Sequence, residues 1–281
     1  MNYETIIYQP GAIARVILNR PERQNAQSWK LLSEMEHAFN AAVADPEARI
    51  IVLSGNGKSF SAGHDLDSPE QITHRDAELE GLDQYAATER YGDVYIDSHL
   101  RWRNLTKPTV AMVHGYCIFG GWMIASAMDF IFASEDALFI PVYGDYFTTA
   151  WDVGARKAKE ILFGNRFMTA NEAMTWGFVN QVYPAADLER EMLKYASRVA
   201  EGNPYLHRTI KHAINQTLDG MGFSASVTAT SATFHNMRFP RPGAERPAAA
   251  PPRDPRFRSQ VGRALEYLRE DAVENSRRHG E

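Results

Sequence analysis

Residues 107–129, KPTVAMVHGYCIFGGWMIASAMD, join a buried strand to a buried helix through a turn that ends in two glycines. Residues 109–113 are almost entirely apolar, as in a strand covered on both faces. Gly120 and Gly121 then open a helix predicted over residues 122–128. Free N–H groups at a helix N-terminus favour an oxyanion, and glycine lets a ligand approach the backbone. The stretch therefore predicts a strand–turn–helix unit with backbone donors at its turn.

A second glycine loop follows another apolar run. Residues 49–54 predict a buried strand, and residues 60–66 with Gly63 form the loop after it. Loops at the carboxyl ends of strands in an open α/β sheet are where ligands bind. Two N–H donors aimed at one carbonyl oxygen make an oxyanion hole. Either loop alone is weak support for such a site, because many turns need glycine for structural reasons.

Strands and helices alternate over the first two-thirds of the chain. Apolar runs predict strands at residues 5–8, 12–18, 49–54, 109–113, 129–133, 138–142 and 178–183. Helical spacing predicts helices at residues 28–44, 91–105, 122–128, 157–163 and 170–176, and at 187–219 with a break near 202–204. The polar residues 67–88 predict a surface loop or lid with some helix. This order indicates an α/β fold whose C-terminal part is helical.

Composition changes along the chain suggest three parts. Residues 1–200 form the predicted core, and residues 201–238 a helical segment suited to oligomerisation. Residues 239–281 form an extension that is rich in proline, with little packed structure expected over 239–257 and a final amphipathic helix over 261–274.

Charge and cysteine usage narrow the class of protein. The chain has 281 residues and a formal net charge of -5, which gives no electrostatic footprint for nucleic acid. The single cysteine, Cys117, excludes an intrachain disulfide and favours a reducing compartment. The sequence has neither a signal-peptide pattern nor a run that could span a membrane, so we expect a cytoplasmic protein without membrane contact. A polyanionic ligand would need a local basic patch, for which the candidates are Arg20, Arg23 and Lys58.

Several motifs, taken in order, resemble those of the enoyl-CoA hydratase/isomerase (crotonase) superfamily. They are NRPERQNA at residues 19–26, SFSAGHDL at 59–66, the stretch 107–129 described above, ANEA at 170–173 and WGFVNQV at 176–182. The resemblance covers roughly residues 3–220. It implies a crotonase-like spiral of β-β-α units with a helical C-terminal trimerisation segment, assembled as a homotrimer or a dimer of trimers. It also implies an acyl-CoA substrate of the kind found in fatty acid metabolism.

The resemblance further implies which residues hold the substrate. The N–H groups of His64 and Gly120 would bind the thioester oxygen and stabilise an enolate. Backbone groups at Ala62, His64 and Leu66 would hold the adenine end of coenzyme A, and Arg23 and Gln24 would lie along its pantetheine and phosphates. The other residues expected to contact substrate are Ala26, Asp65, Tyr116, Phe119 and Met123. We expect no metal, and no cofactor beyond the coenzyme A moiety of the substrate.

The chain departs from the family pattern at the two glutamates that manage a water in the hydratases. Those positions are Met123 and Tyr143 here. Methionine cannot transfer a proton, and the unperturbed pKa of tyrosine near 10 makes it a poor base at neutral pH. The carbonyl-polarising part of the site is therefore expected to be intact, while the usual acid/base part is replaced.

Two nearby groups are candidates for the missing acid or base. They are Tyr143 itself and Asp145, which either enters the pocket or is a solvated turn aspartate. Asp152 is expected to cap the helix that follows it. The placement of residues 144–153 is open, because this turn is shorter than in the family.

The leading hypothesis is an enoyl-CoA hydratase-like lyase or isomerase that uses an unusual acid/base set. Isomerisation, C–C or ring-opening hydrolysis and an unusual hydration all stay open as reactions. A non-catalytic protein that binds coenzyme A is the second hypothesis. A dinucleotide-dependent oxidoreductase is disfavoured, since no Gly-x-Gly-x-x-Gly motif follows a strand.

Overall fold

The computed structural model describes residues 2–238 and 260–279 and contains two β-sheets covered by helices. The strands are β1 (Ile6–Gln9), β2 (Ile13–Leu18), β3 (Ile50–Gly55), β4 (Thr109–Val113), β5 (Tyr116–Ile118), β6 (Phe130–Ser134), β7 (Leu138–Ile140), β8 (Met168–Thr169) and β9 (Gln181–Tyr183). The larger sheet has the order β1-β2-β3-β4-β6-β9, and the smaller one the order β5-β7-β8.

The larger sheet is parallel except for its first strand. β1 pairs antiparallel with β2, and the pairs β2–β3, β3–β4, β4–β6 and β6–β9 are parallel. Two neighbouring parallel strands need a crossover connection, and helices in the segments that follow β2, β3, β4 and β6 supply these crossovers. The α/β core predicted from the sequence is therefore confirmed.

The helices account for most of the remaining chain. They are α1 (Trp29–Ala44), α2 (Pro69–Leu79), α3 (Gln84–Gly92), α4 (Ser98–Arg103), α5 (Gly120–Ser126), α6 (Thr149–Val153), α7 (Ala155–Gly164), α8 (Ala170–Thr175), α9 (Leu188–Ala200), α10 (Pro204–Gly220), α11 (Phe223–Arg238) and α12 (Gln260–His279).

Helix α1 illustrates how local sequence sets these boundaries. Ser28 caps it by accepting a hydrogen bond from the N–H of Leu31, which satisfies one of the free donors of the first turn. Its apolar side chains recur at helical spacing and are buried, among them Leu32, Met35 and Phe39. The helix ends at Ala44, two residues before Pro46, as the sequence predicts.

One predicted boundary and one predicted turn were wrong. β5 lies inside residues 114–121, which were assigned to a turn, because its three residues pair with β7 in the smaller sheet. β9 is limited to residues 181–183, since the N–H groups of Phe178 and Val179 bond back to the carbonyl of Ala173 instead of a strand.

The segment of residues 67–103 is more regular than predicted. α2 and α3 occupy most of the expected lid, and Ser68 and Asp83 cap them. The predicted helix at 91–105 is in fact the end of α3, a π-helical turn at Asp93–Asp97, and α4. A π turn adds one residue to the helical repeat and is frequent at functional sites. This turn directs Val94, Tyr95 and Ile96 into the core.

The C-terminal helices differ in how they contact the core. α9 buries Leu188, Met192 and Ala196, whereas α10 buries none of its side chains. α12 overlaps the predicted final helix, and its Ala264 is buried in a cluster with residues of β5 and β7. The expectation for residues 239–257 lies outside the described residues. Within the described ranges, no helix is both long and apolar enough to cross a bilayer.

Candidate functional site

Three chain segments meet beside the amino-terminus of α5. The N–H of Ser61 donates to the carbonyl of Tyr116 at 2.9 Å, which attaches the loop at 60–66 to β5. The N–H of Ala62 donates to Gln24 and the N–H of Asp65 to Gln27, each at 2.9 Å, which attaches the same loop to residues 20–27. The loop is therefore held on both sides by backbone hydrogen bonds.

The two glycine turns are in direct contact. Gly63 has a φ of 96°, and a Cβ placed on it would lie 3.3 Å from the nitrogen of Gly120 and 3.0 Å from the carbonyl oxygen of Ile118. A Cβ placed on Gly120 would lie 2.6 Å from both Cδ2 of His64 and Oε1 of Gln27. Only glycine fits at either position, because a side chain would force the segments apart.

Gly120 is the first residue of α5, and Phe119 precedes it with a φ of 51°. The first N–H groups of a helix have no acceptor within the helix and lie at the positive end of its dipole. His64 follows Gly63 in the facing loop. The N–H groups of His64 and Gly120 thus belong to two backbone segments in contact, which is compatible with the oxyanion hole predicted from the sequence.

An ion pair supports the loop from beneath. Nη1 of Arg20 donates to the Asp65 carboxylate at 2.8 Å, and both side chains are almost completely buried. The hydroxyl of Ser68 donates to the same carboxylate at 2.7 Å. Burial alone would raise the pKa of Asp65, but the hydrogen bonds from Ser68 and Arg20 outweigh it and lower that pKa. Asp65 was expected to contact substrate, but its carboxylate accepts hydrogen bonds from Arg20 and Ser68 and so holds the loop in position.

The outer rim of this region carries the residues expected to meet coenzyme A. Arg23 and Gln24 are exposed, and so is Lys58. Leu66 is 67% exposed although it is apolar. Ala26 and Ala62 are half-buried. A cationic rim with accessible apolar surface suits a ligand that combines phosphates with an uncharged arm.

The two positions expected to replace the family's glutamates have opposite environments. Met123 lies one turn into α5 and is completely buried in the main core. Tyr143 is 55% exposed, and its ring makes edge contacts with Phe119 and Phe234 at centroid distances of 6.5 Å and 6.3 Å. Tyr143 faces an open groove that also includes Arg263 of α12.

Tyr116 and Phe119, the two aromatic residues expected at the substrate, lie beside the C-terminal extension. Both pack against the small cluster of β5, β7 and α12, where Val261 and Leu265 also lie. Tyr116 stacks on Phe167 with centroids 5.7 Å apart. The contact with α12 could not be predicted from local sequence, because the extension is separated from Tyr116 and Phe119 by more than a hundred positions.

Most of the turn between β7 and α6 is buried, although Tyr143 is exposed. Asp145 is only 7% exposed, so the alternative of a solvated turn aspartate was wrong. Asp152 lies inside α6 and does not cap α7, whose first turn has no side-chain cap. Its carboxylate instead accepts hydrogen bonds from Nε1 of Trp122 at 2.9 Å and from the Thr148 hydroxyl at 2.6 Å. Burial raises the pKa of Asp152 to about 6 in spite of these donors.

A group of buried polar side chains lies on the inner side of the two glycine turns. The ring of His64 contacts the ring of Tyr95 at a centroid distance of 4.3 Å. His99 contacts Tyr146 at 5.0 Å, and both are fully buried. Burial and the nearby His64 lower the pKa of His99 well below its usual value. Burial and Asp152 raise the pKa of Tyr146. Sequence reasoning missed His99, although a histidine within an aromatic helical face was a usable signal.

Comparison with known proteins agrees with this geometry. The model of the Enoyl-CoA hydratase/isomerase family matches residues 9–239. The chain belongs to this family.

Relatives within the family cover most of the chain. A Mycobacterium tuberculosis protein whose name marks it as a candidate enoyl-CoA hydratase, EchA13, is 38% identical over 249 residues, which are 81% of this chain and 77% of that protein. A structure from Mycobacterium thermoresistibile described as an enoyl-CoA hydratase is 40% identical, with a TM-score of 0.74 over 83% of this chain and 93% of the other. An enoyl-CoA hydratase/isomerase from Xanthobacter autotrophicus Py2 is 30% identical, with a TM-score of 0.72 over 84% and 94%. The crotonase-like fold is therefore established.

Proposed function

We propose that this chain binds an acyl-CoA thioester and stabilises the enolate formed from it with the N–H groups of His64 and Gly120. One observation carries the proposal, namely the contact between the loop at Gly63 and the first residue of α5. That contact juxtaposes two backbone segments whose donors cost no reorganisation when charge develops on an oxygen.

The size of the effect supports a catalytic use. One oxyanion-hole donor contributes on the order of 10²–10³ in turnover number. The positive, N-terminal end of the α5 dipole further stabilises the negative charge on the enolate oxygen. Enolate formation at a thioester is a step shared by hydration, isomerisation and C–C cleavage of acyl-CoA substrates, so the donors serve each of these reactions.

The rim around Arg23, Gln24 and Lys58 supports recognition of coenzyme A. The guanidinium of Arg23 and the ammonium of Lys58 are exposed, so a phosphate can reach either of them from solvent. Ala62, His64 and Leu66 supply backbone groups for the adenine. The proposed chemistry draws on backbone donors and side chains of the chain, together with the coenzyme A of the substrate.

The proposed reaction class is that of a lyase or isomerase on a CoA thioester, and the acid/base set differs from the two-glutamate arrangement. Met123 transfers no proton, and the exposed Tyr143 packs against aromatic rings instead of a base. Asp145, which is buried in the turn after β7, is the carboxylate proposed as a replacement acid or base. Isomerisation and C–C or ring-opening hydrolysis are the alternatives, and a non-catalytic protein that binds acyl-CoA is the competing function favoured by the loss of both glutamates.

We also propose assembly as a homotrimer or a dimer of trimers in the cytoplasm. The support is α10, which exposes Leu206, Ile210 and Ile214 and buries none of its side chains. An exposed apolar helix face of this kind is typical of a surface covered by another protein chain. Sedimentation velocity gives the mass that tests this proposal.

Calorimetric titration with crotonyl-CoA and with free coenzyme A tests the proposed function. We expect the thioester to bind more tightly, and we expect Gly120→Ala to remove the difference, because its Cβ would displace the His64 ring and the Gln27 carboxamide. Gly164→Ala is the matched control, since nothing lies within 4 Å of its added Cβ. Equal affinity of the wild-type protein for the thioester and free coenzyme A would contradict the proposal.

A further inference from the structure

His99 and Tyr146 are buried polar side chains for which the proposed enolate chemistry has no use. His99 is the second residue of α4, directly after the π turn, and Tyr146 lies in the turn between β7 and α6. Both are 0% exposed. Among the residues that the structure describes, neither Nε2 of His99 nor the hydroxyl of Tyr146 has a hydrogen-bond partner. An unsatisfied buried polar atom costs roughly 1–3 kcal/mol, so each such atom calls for an explanation.

The hydrogen-bond network fixes the tautomer of His99. The hydroxyl of Ser98 donates its only hydrogen to the carbonyl of Val94 at 2.6 Å. Nδ1 of His99 lies 3.1 Å from that hydroxyl oxygen, so Nδ1 must carry the hydrogen and donate it. The lowered pKa of His99 keeps the ring neutral at pH 7. Nε2 is consequently an unprotonated acceptor.

Tyr146 supplies the complementary donor. Its raised pKa keeps the phenol protonated at neutral pH. The His99 and Tyr146 rings are 5.0 Å apart and tilted by 35°, which places them side by side and not end to end. The phenol therefore does not satisfy the ring nitrogen. Within the described part of the chain, two rings in contact thus carry one free acceptor, Nε2 of His99, and one free donor, the hydroxyl of Tyr146.

The backbone of Tyr146 is strained. Its φ is 38°, a left-handed conformation that is costly for a bulky side chain. Such strain persists where the surrounding structure enforces it, and it clusters at functional sites. Here it holds the phenol beside His99, on the inner side of the turn that carries Tyr143 and Asp145.

The pair is also close to the proposed thioester site. His64, whose N–H would bind the thioester oxygen, acts electrostatically on His99. The His64 ring also contacts Tyr95, which belongs to the π turn four residues before His99. Tyr95 and Tyr146 both belong to the main buried core of the protein, as does Met123. Use of the pair by a thioester bound at the glycine turns requires its acyl group to reach into this core.

We propose that His99 and Tyr146 together bind one uncharged O–H group, either a hydroxyl on the acyl chain or the water that reacts with it. A hydroxyl both donates and accepts, so it satisfies Nε2 of His99 and the phenol at once. A keto oxygen would leave Nε2 unsatisfied. A carboxylate would leave Nε2 facing an acceptor, and the neutral pair could not offset the cost of burying its charge.

Titration with two saturated thioesters, 3-hydroxybutyryl-CoA and butyryl-CoA, tests this assignment, which depends on the proposed function. If the site takes a chain hydroxyl, the wild-type protein binds the hydroxylated thioester about tenfold more tightly. Tyr146→Phe and His99→Leu then reduce the preference to within about twofold, and His99→Gln restores part of it because its carbonyl can accept. Tyr8→Phe, on the edge strand β1, is the control for loss of a phenol.

A second arm separates the chain hydroxyl from the reacting water. If the two saturated thioesters bind equally but Tyr146→Phe lowers kcat for crotonyl-CoA by about tenfold or more with KM unchanged, the site holds the water. Equal binding together with unchanged turnover in both Tyr146→Phe and His99→Leu overturns the assignment. Thermal unfolding checks that both variants fold, and Tyr146→Phe is expected to keep or raise the Tm. Failure of both thioesters to bind the wild-type protein would instead refute the proposed function.

Discussion

The candidate site has two halves, one formed by backbone groups and the other by side chains. The half that would polarise the thioester uses backbone N–H groups held by hydrogen bonds between loops, with glycine at the points of closest approach. The half that would handle protons uses side chains, and there Met123 and Tyr143 are expected to replace the family's glutamates. Backbone geometry persists as long as the loops can pack, whereas a side-chain function can be lost or moved by one substitution. This difference is the reason for proposing that the chain binds a thioester and stabilises an enolate with a changed set of proton-transferring groups.

The largest expected effect concerns the ion pair that holds the backbone half in place. Asp65→Ala leaves the buried Arg20 guanidinium without its carboxylate, and we expect a loss of about 3–5 kcal/mol in the free energy of unfolding. Urea denaturation measures this loss. The double variant Arg20→Met with Asp65→Leu should recover much of the stability, because no buried charge remains. A loss below about 1 kcal/mol for Asp65→Ala would show that the loop does not depend on this pair.

The same pair predicts a pH dependence. The folded-state pKa of Asp65 is lowered below its ordinary value of 3.8, so the carboxylate stabilises the fold above that pH. This contribution is lost as the pH falls through the lower, folded-state pKa. Urea denaturation of the wild-type protein and the double variant between pH 3 and pH 7 should show it as a larger loss of stability in the wild type below about pH 4. Parallel curves for the two proteins would contradict this assignment.

The buried carboxylate next to the side-chain half gives the next effect. The folded-state pKa of Asp152 is raised from 3.8 to about 6, so between these values the folded protein binds the proton more tightly than the unfolded chain. Its contribution is favourable below pH 4 and declines as the pH rises toward 6, by roughly 1–3 kcal/mol in total. Asp152→Asn should remove this decline, since an amide can still accept from Trp122 and donate to Thr148. A pH profile identical to that of the wild-type protein would contradict the raised pKa.

The smallest effect is expected at Met123. Met123→Leu conserves volume in the core, so we expect stability to change by less than about 1.5 kcal/mol and kcat to stay close to that of the wild-type protein. Steady-state kinetics with crotonyl-CoA check this expectation. A fall in kcat of tenfold or more would mean that the methionine position still takes part in the chemistry, and the contrast between the two halves would then be weaker.

The sequence predicted what depends on local pattern. Apolar runs located the strands of the larger sheet, and Ser28 and Pro46 located the ends of α1. β5 was missed because a three-residue strand inside a glycine-rich turn has no periodicity of its own, and only its pairing with β7 defines it. The motifs at residues 59–66 and 107–129 likewise located both glycine loops.

The side-chain half was less accessible to sequence reasoning. The burial of Asp145 and the hydrogen bonds of Asp152 depend on how a turn of unusual length packs, which neighbouring residues do not encode. His99 escaped notice because the π turn shifts the helical register that would have placed it on the inner face. Contacts between distant segments, such as that between His99 and Tyr146, arise only from the tertiary fold.

The central claim is that His64 and Gly120 polarise a thioester carbonyl through their backbone N–H groups. Isotope-edited infrared difference spectroscopy of crotonyl-CoA labelled with ¹³C at the thioester carbonyl measures this polarisation directly in the complex. We predict that the carbonyl band of the bound substrate shifts to lower frequency than in solution and that Gly120→Ala abolishes the shift, whereas Gly164→Ala retains it. A bound substrate whose carbonyl band stays at the solution frequency in the wild-type protein would contradict the claim.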